Sequence, residues 1–331
     1  MAQQQRRLAV LSAQVVVGND PHRSDQALAE YMRPPWCRFP PRVAGRPGGT
    51  EYRTVKYSVE DGICTIVRSR PNVLNAVNFQ THCDMIAAFE EAEQDDSVLA
   101  VVLTGDGRFF CSGADVAGNE ESYGRPDPPR VQEIKKVLLR QDDHDSNTWS
   151  DVNMYDAWIN FSKPLIIAVN GPAIGEGFTT LMMGDIIYAS DSAYFWAPFA
   201  RFGVVPEITS TVTLPQRVGM AVAAEMLLMS KKKTPEEMLR AGLINEVLPA
   251  GDGFLPAVKE RMKSGLNLAG DPSVRLKALR MFKSMLKTKE WRDRMVAQNR
   301  NEQEMVRQRV RDGDIQKNLA FYAAQMPQKK K

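Results

Sequence analysis

The sequence predicts an α/β fold that ends in a helical region. Three observations predict it. Short apolar runs of strand length alternate with helical segments between about residues 52 and 190. Two of those runs lead into glycine-containing turns. Beyond Pro256 nearly every segment reads as helix.

Composition bounds the reading. The chain has 331 residues, enough for one large core or two smaller ones. A hydrophobic fraction of 43% and Lys+Arg 43 against Asp+Glu 40 are those of an ordinary globular protein, not of a disordered or fibrous chain. A net charge of +3 is too weak to imply a nucleic-acid surface, so no nucleic-acid partner is expected. No stretch is apolar over a bilayer's width, so no transmembrane segment is expected; the clearest runs, Val98 to Leu103 and Leu165 to Val169, are strand-sized. Cys37, Cys64, Cys83 and Cys111 form no CxxC pair, and the histidines are His22, His82 and His144. That inventory predicts no metal site, and it reads as reduced thiols in an intracellular compartment.

Residues 1–50 read as a partly disordered targeting and linker extension. Before Asp20, the first acid, lie Arg6, Arg7 and then apolar residues. Arg7-Leu8, five spacers and Gln14-Val15 resemble an N-terminal peroxisomal targeting signal, although Val15 departs from the usual last residue. The implied location is a peroxisome or glycosome, with an import receptor as partner. An Arg-rich, acid-poor start also fits a mitochondrial transit peptide. Pro34 to Gly49 is too rich in Pro and Gly for a helix or central strand. The C-terminal Lys329-Lys330-Lys331 reads as a solvated tail.

Folded structure is expected from Glu51. Tyr52 to Glu60 and Ile63 to Val67 form a hairpin around Asp61-Gly62. Asn78 starts a helix whose Phe79, Cys83, Met85, Ile86, Phe89 and Ala92 recur at helical spacing. Val98 to Thr104 is a buried strand. Asn119 to Asn153 is polar, with one helix at Val131 to Leu139, and is long for a connection; it reads as an active-site cover or a surface insertion, with His144 exposed. Leu165 to Val169 is a strand, Gly177 to Met183 a helix and Ile186 to Ala189 a strand. Thr234-Pro235-Glu236-Glu237 starts a helix, with Thr234 as its cap. Ala257 to Leu266, Pro272 to Lys287 and Glu290 to Val310 complete the tail.

The chemistry concentrates in two turns. One is Phe110-Cys111-Ser112-Gly113-Ala114-Asp115; the other is Asn170 to Gly177, just before a helix. A helix N-terminus presents unpaired N–H groups and partial positive charge, so two such turns brought together can hold a developing oxyanion. Each turn alone is as readily an ordinary turn of an α/β core. Ser112 has no histidine at triad spacing, which disfavours a serine hydrolase.

In combination these segments resemble the crotonase superfamily of enoyl-CoA hydratases and isomerases. The resemblance rests on Arg70-Pro71 with Leu74-Asn75-Ala76, FFCSGADV, VNGPAIGEG, MMGDIIYASDSAYF, PQRVG and AGLINEV, in family order over Tyr52 to Val247. It implies a crotonase-like spiral of ββα units with two nearly perpendicular sheets. Residues 51–255 would be the catalytic core, and 256–331 a helical region for oligomerisation and pocket closure. It further implies homotrimers, paired or not into hexamers, an acyl-CoA substrate, and no cofactor beyond the CoA of that substrate.

Within the superfamily, APFARFGVVPEITSTVTLPQRVG is similar to the peroxisomal Δ3,Δ2-enoyl-CoA isomerases. The similarity implies a catalytic carboxylate at Glu207, whose alternative is a solvated loop glutamate. The two hydratase glutamates fall on Thr179 and Phe199, so hydration and dienoyl-CoA isomerisation are less supported. Val204, Val205, Pro206 and Ile208 offer Glu207 apolar surroundings that raise a carboxylate's pKa. Matching motif positions imply oxyanion donors at the backbone N–H of Ala114 and of Glu176. The Glu176 side chain, unusual in this loop, either faces solvent, caps the next helix or serves as a second acid or base. CoA would lie along Asn75-Ala76 and Ser112, Gly113, Ala114, Asp115 and Val116, with Gly175 also binding; Lys283 is either a phosphate contact or simply exposed. The rival from another class is a catalytically silent acyl-CoA-binding or RNA-binding scaffold.

Overall fold

The computed structural model describes residues 51–115, 126–140, 152–267, 270–315, 317–318 and 321. All belong to one unit, Pro40–Lys331. In chain order its elements are β1 (Val55–Glu60), β2 (Ile63–Arg68), α1 (Phe79–Gln94), β3 (Ala100–Gly105), α2 (Pro129–Arg140), α3 (Val152–Asn160), β4 (Leu165–Val169), β5 (Ala173–Ile174), α4 (Glu176–Thr179) and β6 (Ile186–Ser190). There follow β7 (Phe195–Trp196), α5 (Phe199–Phe202), α6 (Ser210–Val218), α7 (Met220–Leu227), α8 (Pro235–Arg240), β8 (Glu246–Leu248), α9 (Phe254–Gly265), α10 (Pro272–Leu286) and α11 (Lys289–Arg311).

A six-stranded sheet runs β1-β2-β3-β4-β6-β8, and a two-stranded sheet pairs β5 with β7. Only β1 is antiparallel, joined to β2 by Asp61 (φ 50°) and Gly62 (φ 77°). Two left-handed residues are what a two-residue hairpin turn requires, and Asp and Gly tolerate them best. The ββα repeat is visible in β1-β2-α1, β4-β5-α4 and β6-β7-α5. The short second strands matter most. Bridges Val77↔Ala114 and Cys111↔Ala173, together with the β5–β7 pairing, line up both glycine turns in one layer.

β3 and β4 are buried almost throughout, as their unbroken apolar runs predict. On the sheet, Ile63, Val102, Ile166 and Ala168 pack with Phe254, Val258 and Met262 of α9. Phe89 of α1 meets Trp158 of α3 at 4.8 Å between ring centroids and Phe161 at 5.1 Å, so α1 and α3 share an aromatic seam. The Asn78 carboxamide accepts from the Thr81 N–H at 2.9 Å and caps α1. A full capping box between Thr234 and Glu237 starts α8.

Several elements differ from expectation. The strand begins at Val55 because Tyr52 is instead anchored outside it, its hydroxyl donating to Glu91 at 2.6 Å. The helix after the second turn begins at Glu176 and tightens to a 3₁₀ turn over Thr180–Met183. Helix α9 starts at Phe254, with Pro256 inside its first turn, where a missing N–H costs nothing. Helices α3, α6 and α7 were not apparent in the sequence pattern. No helix among the described residues is long and apolar enough to cross a membrane.

Candidate functional site

The first turn leaves β3 and is fastened by the segment before α1. Ser112 N–H donates to Leu74 O at 3.0 Å, and Val77 N–H to Gly113 O at 2.9 Å. The Asn75 side chain is buried and fully committed. It accepts from Arg70 N–H at 2.9 Å and donates to Asp106 O at 2.8 Å and Phe109 O at 2.7 Å. Arg70 donates to Ala76 O at 2.5 Å and pairs with the Asp115 carboxylate at 2.9 Å. Asn75, Ala76, Ser112, Gly113, Ala114 and Asp115 thus form one connected ledge, on which Asn75 and Asp115 are held by the chain itself.

The second turn lies against the first. A Cβ on Gly113, which has φ 101°, would sit 3.1 Å from Ile174 O. A Cβ on Gly177 would sit 2.6 Å from both Cβ and O of Cys111, so only glycine permits this approach. Gly175 N–H is used by Trp196 O at 2.8 Å. The backbone N–H groups of Ala114 and of Glu176, by contrast, donate to no other group among the described residues. Ala114 is exposed. Two neighbouring turns therefore each offer one uncommitted donor, the second at the N-terminus of α4.

The Glu176 side chain neither faces solvent nor caps the following helix. It is 4% exposed and lies 3.2 Å from His82 Nε2. Burial alone would raise its pKa, but the charge and hydrogen bond of His82, the Arg68 guanidinium and the Tyr155 hydroxyl overcome this and hold it below the ordinary 4.5. Arg68 is itself buried, donating to Thr180 Oγ1 at 3.1 Å and lying 4.9 Å from the Phe110 ring centroid. His82, Arg68 and Tyr155 were missed in the sequence. They lie far from Glu176 in the chain, so no local pattern joins them to it.

Glu207 is half-buried on the loop between α5 and α6, its carbonyl accepting from Ser210 N–H at 3.1 Å. The buried thiol of Cys111 relates it to the turns. Burial pushes that thiol up to about 11, and the charges of Glu176 and Glu207 both add to the rise. Both carboxylates are therefore within electrostatic reach of one sulfur at the base of the first turn. The arrangement offers two backbone donors for a developing negative charge, and a half-buried carboxylate within electrostatic reach of the thiol below the first turn.

The enoyl-CoA hydratase/isomerase family pattern matches residues 58–329. The chain belongs to this family. Enoyl-CoA delta isomerase 2 of Homo sapiens is 35% identical over 256 residues, 76% of this chain and 59% of that protein. The peroxisomal enoyl-CoA delta isomerase 3 of Mus musculus is 36% identical over 214 residues, 65% of this chain and 62% of that protein. The chain thus spans about three fifths of the length of these curated relatives. An enoyl-CoA hydratase/isomerase from Pseudoalteromonas atlantica has the same fold, with a TM-score of 0.67 at 25% identity over 83% of this chain and 98% of that one.

Within this family, two further positions are informative. Thr179 is buried, its hydroxyl turned back to Gly175 O and Glu176 O at 3.3 Å each. Phe199 is 7% exposed. No carboxylate stands at either place. Lys283, a candidate phosphate contact in the sequence, is buried. It is 7% exposed, and its ammonium donates to Lys163 O at 2.7 Å and pairs with Asp185 at 2.8 Å. Asp185 also pairs with Lys287 at 2.6 Å; burial would raise its carboxyl, but Lys283 and then Lys287 hold it well below the usual range. Val116, His144, the Arg7-Leu8 and Gln14-Val15 pairs and the terminal lysines lie outside the described residues, as does most of Asn119 to Asn153.

Proposed function

We propose that this chain is a Δ3,Δ2-enoyl-CoA isomerase, converting cis- or trans-3-enoyl-CoA to trans-2-enoyl-CoA with Glu207 as its proton carrier. The observation that carries this reading is the pairing of one half-buried carboxylate with two uncommitted backbone N–H groups, while the residues at 179 and 199 are not acids. Similarity to the delta isomerases supports the same reaction.

The chemistry needs one carboxylate. Glu207 takes a proton from C2, and the C2–H electrons form a dienolate whose charge rests on the thioester oxygen. Ala114 and Glu176 N–H groups stabilise that oxygen at the moment charge develops. Glu207 then returns the proton at C4; the C3=C4 bond has become C2=C3. The reaction is redox-neutral and consumes no water. CoA lies along the Asn75–Asp115 ledge; with the Asn75 side chain committed to the chain itself, that residue's contact is through main-chain atoms. We further propose a homotrimer or hexamer, and peroxisomal or glycosomal residence in fatty-acid β-oxidation, in keeping with the mouse peroxisomal relative.

The test is 2-enoyl-CoA formation from 3-hexenoyl-CoA by wild type and Glu207→Gln. The expected result is a loss of about 10²–10⁴-fold in kcat with CoA binding retained. Equal rates in the two proteins would overturn the role of Glu207. Hydration of 2-enoyl-CoA without isomerisation would favour a hydratase instead.

A further inference from the structure

The backbone just after Glu207 is under strain. Ile208 has φ 58° and Thr209 φ 59°, and both are fully buried. Two successive β-branched residues in the left-handed region are rare and strained, so surrounding structure must hold them there. Thr209 also occupies the cap position of α6, yet its side chain does not cap that helix. Its hydroxyl lies 3.5 Å from Thr213 Oγ1 instead.

The missing cap comes from the far end of the chain. Glu302, on α11 and 2% exposed, places one carboxylate oxygen 2.6 Å from Thr209 N. The other accepts from Thr211 N–H at 3.2 Å, from the Thr211 hydroxyl, and from Gln298 Nε2 at 3.3 Å. A carboxylate at a helix N-terminus satisfies orphan donors and complements the helix dipole. The same helix grips the loop at its other end, where Arg309 Nε donates to Gly203 O at 3.0 Å. Residues 204–207 therefore hang between two anchors on α11, and Glu302 holds the one next to the carboxylate.

We propose that Glu302 is the positioning residue of Glu207: it fixes the Ile208-Thr209 turn and so the point from which the proton carrier reaches substrate. This rests on the reading of Glu207 as that carrier. Displacing a reacting group by about 1 Å can cost 10²-fold in rate, so the effect belongs in kcat and not in substrate binding.

The experiment compares Glu302→Gln, Glu302→Ala and Thr211→Val with a control, Asn299→Ala. Asn299 is buried on the same helix but contacts Asp156 at 3.5 Å, away from the turn. Each variant is assayed with 3-hexenoyl-CoA per folded protein, and its Tm is recorded. The expected result is a kcat loss of about 10–100-fold in Glu302→Ala with KM within about twofold. Glu302→Gln, which keeps an acceptor for Thr209 N–H, should recover part of that loss. Thr211→Val should fall between Gln and wild type. Asn299→Ala should lose Tm without the kcat loss. If Glu302→Ala does not fold, the Gln and Thr211→Val variants decide the question. Unchanged kcat in these variants, or an equal kcat loss in Asn299→Ala, overturns the proposal. Glu207→Gln assayed in parallel separates the two ideas. If it is inactive while the Glu302 variants turn over normally, only the positioning role falls. If it is fully active, the reading of Glu207 falls and the positioning role with it.

Discussion

Glu176 and Glu207 both act on the thiol of Cys111, yet the protein holds them in opposite ways. Glu176 is gripped by its side chain. His82 is at 3.2 Å, and Tyr155 and Arg68 add to the hold, so the carboxylate stays charged below its ordinary range. What remains to Glu176 for chemistry is its backbone N–H. Glu207 sits on a loop whose backbone is anchored at Gly203 by Arg309 and at Thr209 by Glu302. Cations that stabilise a carboxylate also weaken it as a base. The second acid/base role left open for Glu176 by the sequence is therefore the less favourable one. The difference lies in what the long-range contacts grip: at Glu176 the carboxylate, at Glu207 the backbone on either side of the loop.

Substituting each glutamate by glutamine should give opposite signatures. Glu207→Gln should show the largest effect on turnover, about 10²–10⁴-fold, with little change in the urea midpoint. Glu176→Gln should show the largest effect on stability. It leaves Arg68 and His82 buried without their counter-charge, and breaking a buried pair from one side costs about 3–5 kcal/mol. Its kcat should fall less than in Glu207→Gln, because the backbone N–H survives the substitution. A stable but inactive Glu176→Gln would reverse the comparison and make Glu176 the proton carrier. His82→Gln is the milder form of the same test. It removes one partner of the carboxylate but leaves Arg68, and should cost less stability than Glu176→Gln.

The two glutamates also differ in how far the sequence revealed them. The turns, the Asn78 cap and the Thr234 capping box were legible because each is made by residues within a few positions of one another. The parallel sheet was legible from unbroken apolar runs. Resemblance in the turns pointed to Ala114 and Glu176 as candidates, and the loop motif to Glu207. The supporting partners were not legible. Glu302 caps α6 from 91 residues away, and the Ser-Thr-Val-Thr start of that helix has low helix propensity. The partners of Lys283 were hidden for a related reason. A lysine on a charged tail reads as exposed, and only the fold shows Asp185 and the Lys163 carbonyl waiting for it. His82 lies within a helix whose apolar spacing is set by Phe89 and Met85, and nothing local marks it as a partner of Glu176. Long-range pairing of a charge with its counter-charge leaves no local pattern.

The smallest effect separates two neighbouring positions on α3 by the sign of their pH dependence. Tyr155 faces Glu176, whose pKa is depressed below 4.5. A depressed carboxylate contributes stability that is fully present above its unfolded value and is lost as pH falls through the folded one. The wild-type urea midpoint should therefore decline below pH 4.5 by an increment that Glu176→Gln lacks. Asp156, the next residue, behaves oppositely. Burial raises it to about 6, outweighing the charge of Arg300 and the Asn299 hydrogen bond. Between 3.8 and about 6 the native state keeps a proton that the unfolded chain has released, so stability falls as pH rises through that window. Asp156→Asn should flatten that decline and leave the acid limb below pH 4.5 intact. Both limbs surviving in both variants would mean that neither carboxylate's shift carries the pH dependence. The Glu176 pair would then have to be judged by its cost to stability alone.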